Sequence, residues 1–373
     1  MKRFEIVPQN PPNGGVLFVD HSPLSHSGHL GHALVEYEPS KIIAFYPDCS
    51  DVDPVLPDFN GHSGNGYMRY KRSYDGGLTW SDQKDEPNSK AMYDAHCGAT
   101  LMCEKAVVTD TGRIVLFYVK CCMTVKGDLW EPYLEPQYAV SDDKGETYSP
   151  LKCFDERAGR IFDAKFKDGV IYVLYQLGEY SQCCNGKYLL FVSDDNGESF
   201  TVRSEIPFDG NNYVTFYGTI GFDRDGKVVV YTYDEQDEYN LRYIVSSDNG
   251  KSWGANRRAF FEKRMRNPQI AFFADTYFMH GRSGCHGIGG DWCNESGNLV
   301  LYTSLDGYNW DEGQFLQMRT EKSGAYSNNV VVHSESGDEL RLLIQTSHAY
   351  DSFRTNVHHF YIEKTNAGKE DKK

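Results

Sequence analysis

The chain has 373 residues and a net charge of −15, and aromatic side chains make up 14% of it. The acidic balance excludes a nucleic-acid partner, which needs a basic face against phosphates, and disfavours an anionic membrane surface, although a local basic pocket can oppose the global field. No run reaches the roughly 20 apolar residues of a spanning helix, so membrane insertion is not expected.

From the N-terminus, Met1 to Pro8 carries two basic residues but no apolar stretch, which predicts a cytoplasmic protein unless a leader has been removed. The first strand-like run is Val16-Leu-Phe-Val19. A repeating unit then begins: a β-rich run, a tight turn, a second β-rich run, a third run and a polar motif. The first unit has His32 to Tyr37, Ile42 to Tyr46, Tyr67 to Arg72 and the motif Ser73-Tyr-Asp75-Gly-Gly77-Leu-Thr-Trp80. The second has Ala99 to Val108, Ile114 to Val119, Gln137 to Val140 and Ser141-Asp-Asp143-Lys-Gly145-Glu-Thr-Tyr148. The third has Phe162 to Phe166, Val170 to Tyr175, Tyr188 to Val192 and Ser193-Asp-Asp195-Asn-Gly197-Glu-Ser-Phe200. The fourth has Thr219 to Phe222, Val228 to Tyr233, Leu241 to Val245 and Ser246-Ser-Asp248-Asn-Gly250-Lys-Ser-Trp253. The fifth has Pro268 to Phe273, Thr276 to Met279, Leu299 to Thr303 and the one-residue-shorter Ser304-Leu-Asp306-Gly307-Tyr-Asn-Trp310. The sixth has Asn329 to His333, Leu340 to Ile344 and Asn356 to Glu363, with no motif after it.

The motif is a hairpin turn. Its Asp accepts from turn amides, its Gly permits positive φ, and its aromatic folds back onto the core. Six units with five turns predict an all-β, six-bladed β-propeller of four-stranded antiparallel blades, one domain over residues 1–365 with a polar tail over 366–373. The sixth blade lacks a fourth strand, and Val16 to Val19 is expected to supply it, closing the ring and removing an open edge. Ten cysteines contain no C-x-x-C pair, so a zinc ribbon or thioredoxin-like centre is not expected. The vicinal pairs Cys121-Cys122 and Cys183-Cys184 predict free thiols, while Cys285 and Cys293 could pair in an exported protein.

In a meander blade the motif turns lie on one face, and the starts of inner strands and ends of second strands lie on the other. Function is therefore expected at those starts and ends. The inner-strand starts supply His29 and His32, His96, Arg160 and Asp163, Tyr217, Arg266 and Gln269, and Tyr326. The second-strand ends supply Asp48 with Asp51 and Asp53, Lys120, Gln176 and Glu179, Asp234 and Glu235, Arg282, and His348. This convergent polar set suits a hydroxyl-rich carbohydrate ligand. Histidines crowd the same loops without a metal-ligand spacing, so neither metal nor cofactor is expected.

The five turns at these spacings resemble the Asp-box (BNR) repeats of the sialidase (neuraminidase) superfamily, over Gly28 to Glu363. Gly324-Ala-Tyr326-Ser327 resembles the Ala-Tyr-Ser segment that carries the nucleophilic tyrosine of sialidases, the Tyr-nucleophile exception among glycosidases. The resemblance implies an exo-acting, retaining glycoside hydrolase. Tyr326 would be its nucleophile, a first-blade Asp (Asp51 or Asp48) its acid/base, and Glu235 or Asp234 the base for Tyr326. Substrate-binding roles would fall to His32, His96, Asp163, Tyr217, Gln269, Arg282 and His348. The chain departs from the family's three-arginine carboxylate clamp. It has no arginine between Arg3 and Arg69, and Tyr233, Asp234 and Glu235 stand where the second is expected, leaving Arg282. Sialic acid or another acidic sugar therefore stays open. So do two other functions: a lyase on uronic-acid glycans using His and Tyr, and a non-catalytic sugar-binding propeller.

Overall fold

The polar motifs fold as the expected turns. In the first, the Asp75 carboxylate accepts from the amides of Leu78 and Thr79 at 3.0 and 2.9 Å and from the Thr79 hydroxyl at 2.6 Å, while Ser73 Oγ accepts from Gly77 N at 2.8 Å. Asp143, Asp195 and Asp248 repeat the pattern with Thr147, Ser199 and Ser252, and in the shortened copy the Asn309 side-chain amide takes the hydroxyl's place on Asp306. These bonds favour the charged carboxylate and hold Asp143 down at about 2.

Each turn also clasps the blade before it. The Gly145 carbonyl accepts from Arg72 at 2.5 Å, Asn249 from Arg203 at 3.1 Å, Leu305 from Arg224 at 3.0 Å, and Gly77 from the Tyr361 hydroxyl at 2.7 Å. Gly145 has φ +78, and a Cβ there would stand 2.6 Å from Ile43 Cδ1 of the neighbouring blade. Gly112 has φ +81 with nothing within 4 Å. Gly112→Ala is expected to cost about 1 kcal/mol through backbone strain alone, and Gly145→Ala about 2–4 kcal/mol because the blades must also part. Urea unfolding of the two variants checks this; equal losses would mean that the turn does not brace the neighbouring blade.

The computed structural model describes residues 4–9, 11–12, 14–23, 31–48, 66–122, 133–178, 187–208, 215–234, 237–283, 298–318, 324–349 and 355–365. Two N-terminal strands, β1 (Phe4–Val7) and β2 (Val16–Val19), come first. Blade one is β3 (Leu34–Glu38), β4 (Lys41–Asp48), β5 (Tyr67–Ser73) and β6 (Lys84–Asp85). A helix, α1 (Pro87–Asp94), leads to blade two: β7 (Ala99–Val108), β8 (Ile114–Cys122), β9 (Gln137–Ser141) and β10 (Lys152–Cys153). Blade three is β11 (Gly159–Lys167), β12 (Val170–Leu177), β13 (Tyr188–Ser193) and β14 (Thr201–Ile206). Blade four is β15 (Thr215–Phe222), β16 (Val228–Asp234), β17 (Asn240–Ser246) and β18 (Arg257–Phe260). Blade five is β19 (Arg266–Phe273), β20 (Thr276–Ser283), β21 (Asn298–Ser304) and β22 (Gln314–Gln317). Blade six is β23 (Gly324–His333), β24 (Glu339–Ala349) and β25 (Thr355–Lys364), with both N-terminal strands on its outer edge.

This is the expected six-bladed propeller of antiparallel blades. Apolar residues from facing blades bury against one another, as where Leu174 and Leu190 of blade three meet Val230 and Ile244 of blade four. Two features go beyond the sequence reading. The helix is capped by Glu86, whose carboxylate accepts from Asn88 N and Ser89 N, with Pro87 at its first position. The closing strand is double: β2 pairs with Val357–His359 and β1 with Tyr361–Lys364. Cys97, Cys103, Cys121 and Cys153 are free thiols. Cys183, Cys184, Cys285 and Cys293 lie outside the described residues, as does the 366–373 tail. Among the described residues no helix is long and apolar enough to cross a membrane.

Histidines concentrate at this closure. His358 Nδ1 accepts from Gly15 N at 3.1 Å, so that nitrogen carries no proton. His359 stacks on Phe18 at 4.0 Å and bonds Gln345 at 3.0 Å, and His21 donates to the Thr355 carbonyl at 2.9 Å. Burial pushes His21 down, His359 well down, and His280 of β20 down to about 3. A folded-state pKa below the ordinary 6.5 means that the unfolded chain binds more protons below that pH. Stability is therefore full above 6.5 and falls as pH drops toward the folded values, by up to about 1.4 kcal/mol per pH unit for each such histidine. His333, raised by its 2.6 Å contact with Glu36, works the other way, as do the raised carboxyls of Glu86 and Glu238 once the pH nears 5. The melting temperature is expected to fall steadily from pH 7 to pH 5, and a flat profile would show that these rings are not held neutral.

Candidate functional site

Five of the six inner strands break register at one level near the axis. The residue left out of the ladder is Glu104 in β7, Phe162 in β11, Tyr217 in β15, one of Asn267 and Pro268 in β19, and one of Ala325 and Tyr326 in β23. A bulge adds a residue and re-aims its side chain, and such bulges gather beside binding sites. Here Glu104, Phe162, Tyr217, Asn267 and Tyr326 all line one small cavity of about 40 Å³. Asn267 and Ala325 have φ of +50 and +60, conformations that non-glycine residues hold only where the surroundings impose them.

Arg160 organises this cavity. It is 2% exposed, and its Nη1 donates to the hydroxyls of Tyr133 and Tyr217, both at 2.9 Å, while Nη2 donates to Glu104 at 2.8 Å. Burial alone would weaken its charge, but Glu104 and the tyrosines around it hold the guanidinium firmly protonated. Burial pushes the Tyr133 phenol well up. The Tyr326 hydroxyl lies 3.5 Å from the Tyr217 hydroxyl, and the Arg282 guanidinium stands over the Tyr326 ring at 5.5 Å. Arg266 faces Arg282 across β19 and β20 and lies over Tyr233, whose ring stacks on Tyr217. Glu238 accepts from Arg266 at 2.5 Å and Arg264 at 2.8 Å, yet its burial outweighs both and raises its carboxyl.

The cavity floor is a polar plug. Lys105 Nζ donates to Gln269, to Asn328 and to Asp163 at 3.0 Å. Burial lowers the amine to about 8, with Asp163 limiting the fall. Asp163, itself fully buried, also accepts from Thr219 Oγ1 and Ile220 N; burial would raise its carboxyl, but Lys105 and Lys165 together with these bonds lower it. Lys105 and Asn328 also border a second cavity of about 800 Å³ on the other side, so the plug divides the central channel. Among the described residues six cations, Lys105, Lys165, Arg160, Arg264, Arg266 and Arg282, stand with three carboxylates, Glu104, Asp163 and Glu238. The described part of the site thus carries more cations than carboxylates in a chain of net charge −15.

The residues expected from sequence divide accordingly. Tyr326, Tyr217, His32 and Gln269 line the cavity, and Arg282 covers Tyr326. Asp163 lies in the plug and lines neither cavity. Asp48, 2% exposed, is ion-paired with Arg69, which also binds Asp85 and the Tyr67 hydroxyl. His96 is exposed beside Tyr93 at the end of α1, and His348 stacks near His358 in blade six; neither lines the cavity. Asp51 and Glu235 lie outside the described residues. The sequence reading missed Glu104, Lys105, Tyr133, Glu238 and Asn267. For Glu104-Lys105 a signal existed, an adjacent charge pair inside an otherwise apolar strand.

No protein-family model matches the chain, and no curated protein matches it in sequence. Solved structures do match in fold. A Dyadobacter fermentans protein of unknown function superposes with TM-score 0.67 at 13% identity, over 98% of this chain and 100% of its own. The Hadza microbial sialidase Hz136 gives 0.66 at 16%, over 95% of this chain and 68% of its own. Trypanosoma rangeli sialidase in complex with 2,3-difluorosialic acid, a covalent intermediate, gives 0.62 at 12%, over 95% of this chain and 57% of its own. The chain thus has the propeller fold that these sialidases share and spans little more than half the length of the trypanosomal one.

Proposed function

We propose that this protein is a retaining, exo-acting glycoside hydrolase on a terminal acidic sugar of a glycan, with Tyr326 as nucleophile. The observation that carries this reading is the placement of the Tyr326 hydroxyl in a cation-rich axial cavity, 3.5 Å from a tyrosine that accepts from Arg160. The fold likeness to sialidases supports it.

In the first step Tyr326 Oη forms a bond to the anomeric carbon as the bond to the leaving oxygen breaks, and an acid protonates that oxygen. A phenol avoids the repulsion that a carboxylate nucleophile would meet from an anionic sugar. Arg160, through Tyr217, and Arg282, above the ring, stabilise negative charge on the phenol oxygen. Glu104, held by Arg160, and Glu235 are the candidate acceptors of the phenol's proton. Asp48 is committed to Arg69, which favours Asp51 as the acid/base. In the second step water attacks the anomeric carbon as its bond to Tyr326 breaks, the carboxylate that protonated the leaving oxygen takes the water's proton, and the tyrosine takes its own proton back.

The test is aglycone release from a panel of aryl glycosides that includes an α-sialoside and a β-glucuronide. Release from an acidic member that is lost in Tyr326→Phe is expected. No release, with unsaturated products from uronic-acid glycans, would replace the reading with a lyase. Sugar binding without turnover would replace it with a binding propeller.

A further inference from the structure

The side-chain amide of Asn267 is buried at the cavity with its donor unused. Its Nδ2 is buried without a hydrogen-bond partner, the residue is 7% exposed, and it lines the cavity beside Tyr326. A buried donor left unpaired is costly, and native proteins seldom keep one.

The backbone is costly too. Asn267 has φ +50 and precedes Pro268, and the residue before a proline is driven toward extended backbone. The opposite strand is shaped to accept the distortion: Gly281 stands where a Cβ would collide with the Arg266 carbonyl oxygen and come within 3.1 Å of the Asn267 carbonyl oxygen. Strain, a matching glycine and an unpaired donor thus coincide at one residue facing the cavity. Either feature alone occurs at structural positions of this chain, positive φ at the turn residue Asn196 and an unpaired buried Nε at Arg341; their coincidence on a residue lining the cavity is what points to a ligand.

We infer that Asn267 is a ligand-reading residue, whose Nδ2 donates to an acceptor oxygen of the bound molecule. The recognised group is a carboxylate, amide carbonyl or hydroxyl oxygen lying between Tyr326 and Gln269. Its ligand class, an anionic sugar, rests on the function proposed above; its role as an unpaired donor does not. The Arg282 guanidinium stands over the Tyr326 ring, so a neutral donor in the cavity has a cation nearby, a pairing that discriminates anionic sugars bearing a correctly placed second acceptor from simple anions.

Asn267→Gly and Asn267→Asp separate this from a structural role. Glycine tolerates the φ and removes the unpaired amide, whereas aspartate keeps the shape but turns the donor into an acceptor. Thermal melting of the full chain and calorimetric titration with free sialic acid and glucuronic acid are the readouts. Asn267→Gly is expected to melt about 1–4 °C higher than wild type while binding the preferred acid at least about 10-fold more weakly. Asn267→Asp is expected to weaken binding further. A glycine variant that melts lower and binds as wild type does would overturn the inference. If wild type binds neither acid, the proposed substrate class falls and Asn267 is judged on melting alone. A rise in the glycine variant would then uphold a residue kept at a cost to stability, and a fall would reject it.

Discussion

Tyr326→Phe is expected to lower kcat by about 10³-fold or more at nearly unchanged ligand affinity. The phenyl ring that packs in the core and lies beneath Arg282 is kept, and only the attacking oxygen is lost. An interaction made only in the transition state shows itself in this way, through kcat rather than through binding. Tyr217→Phe should have a smaller effect, because it removes the hydroxyl linking Arg160 to Tyr326 but leaves the nucleophile. Equal losses in kcat for the two variants would argue that the pair acts as a binding surface and that Tyr326 does not form the covalent bond.

Lys105→Met is expected to destabilise the protein by about 3–5 kcal/mol, since it leaves the Asp163 carboxylate buried without its main counter-charge. Asp163→Asn in the same chain should restore most of that loss. It removes the stranded charge while keeping an oxygen to accept from Thr219. Chemical denaturation of the two single variants and the double variant measures the coupling. Strict additivity would show that the lysine and aspartate do not sustain one another, and would discount the plug as a unit.

Much of the architecture was legible because its signals are local. Ser73, Asp75, Gly77 and Trp80 build their turn from neighbours within eight residues, and four more copies repeat the chemistry. The closing role of Val16 to Val19 followed from counting strands. The partner segment β1 was not visible, because four residues of mixed character acquire meaning only from β25 across the ring. Inner strands begin before their apolar runs, at Gly159 rather than Phe162 and at Thr215 rather than Thr219. The bulges explain this. One extra residue breaks the period-two alternation, and the break falls where the site residues are. Tyr326 and Tyr217 were found from their position at strand starts. Glu104 was not, since it lies six residues into β7 and reaches the cavity only through its bulge.

The double closing strand also sets an order of events during synthesis. Gly15 and His358, joined by a hydrogen bond, are 343 residues apart in sequence. At ribosomal rates of about 5–20 residues per second, β1 and β2 wait roughly 20–70 s for β25 to be made. Five complete blades can assemble on the nascent chain in that time, while the first-made strands stay unpaired and blade six lacks its rim. The ring therefore closes only after nearly all of its parts exist. A chaperone acting on this protein would find its longest-lived target in β1 and β2.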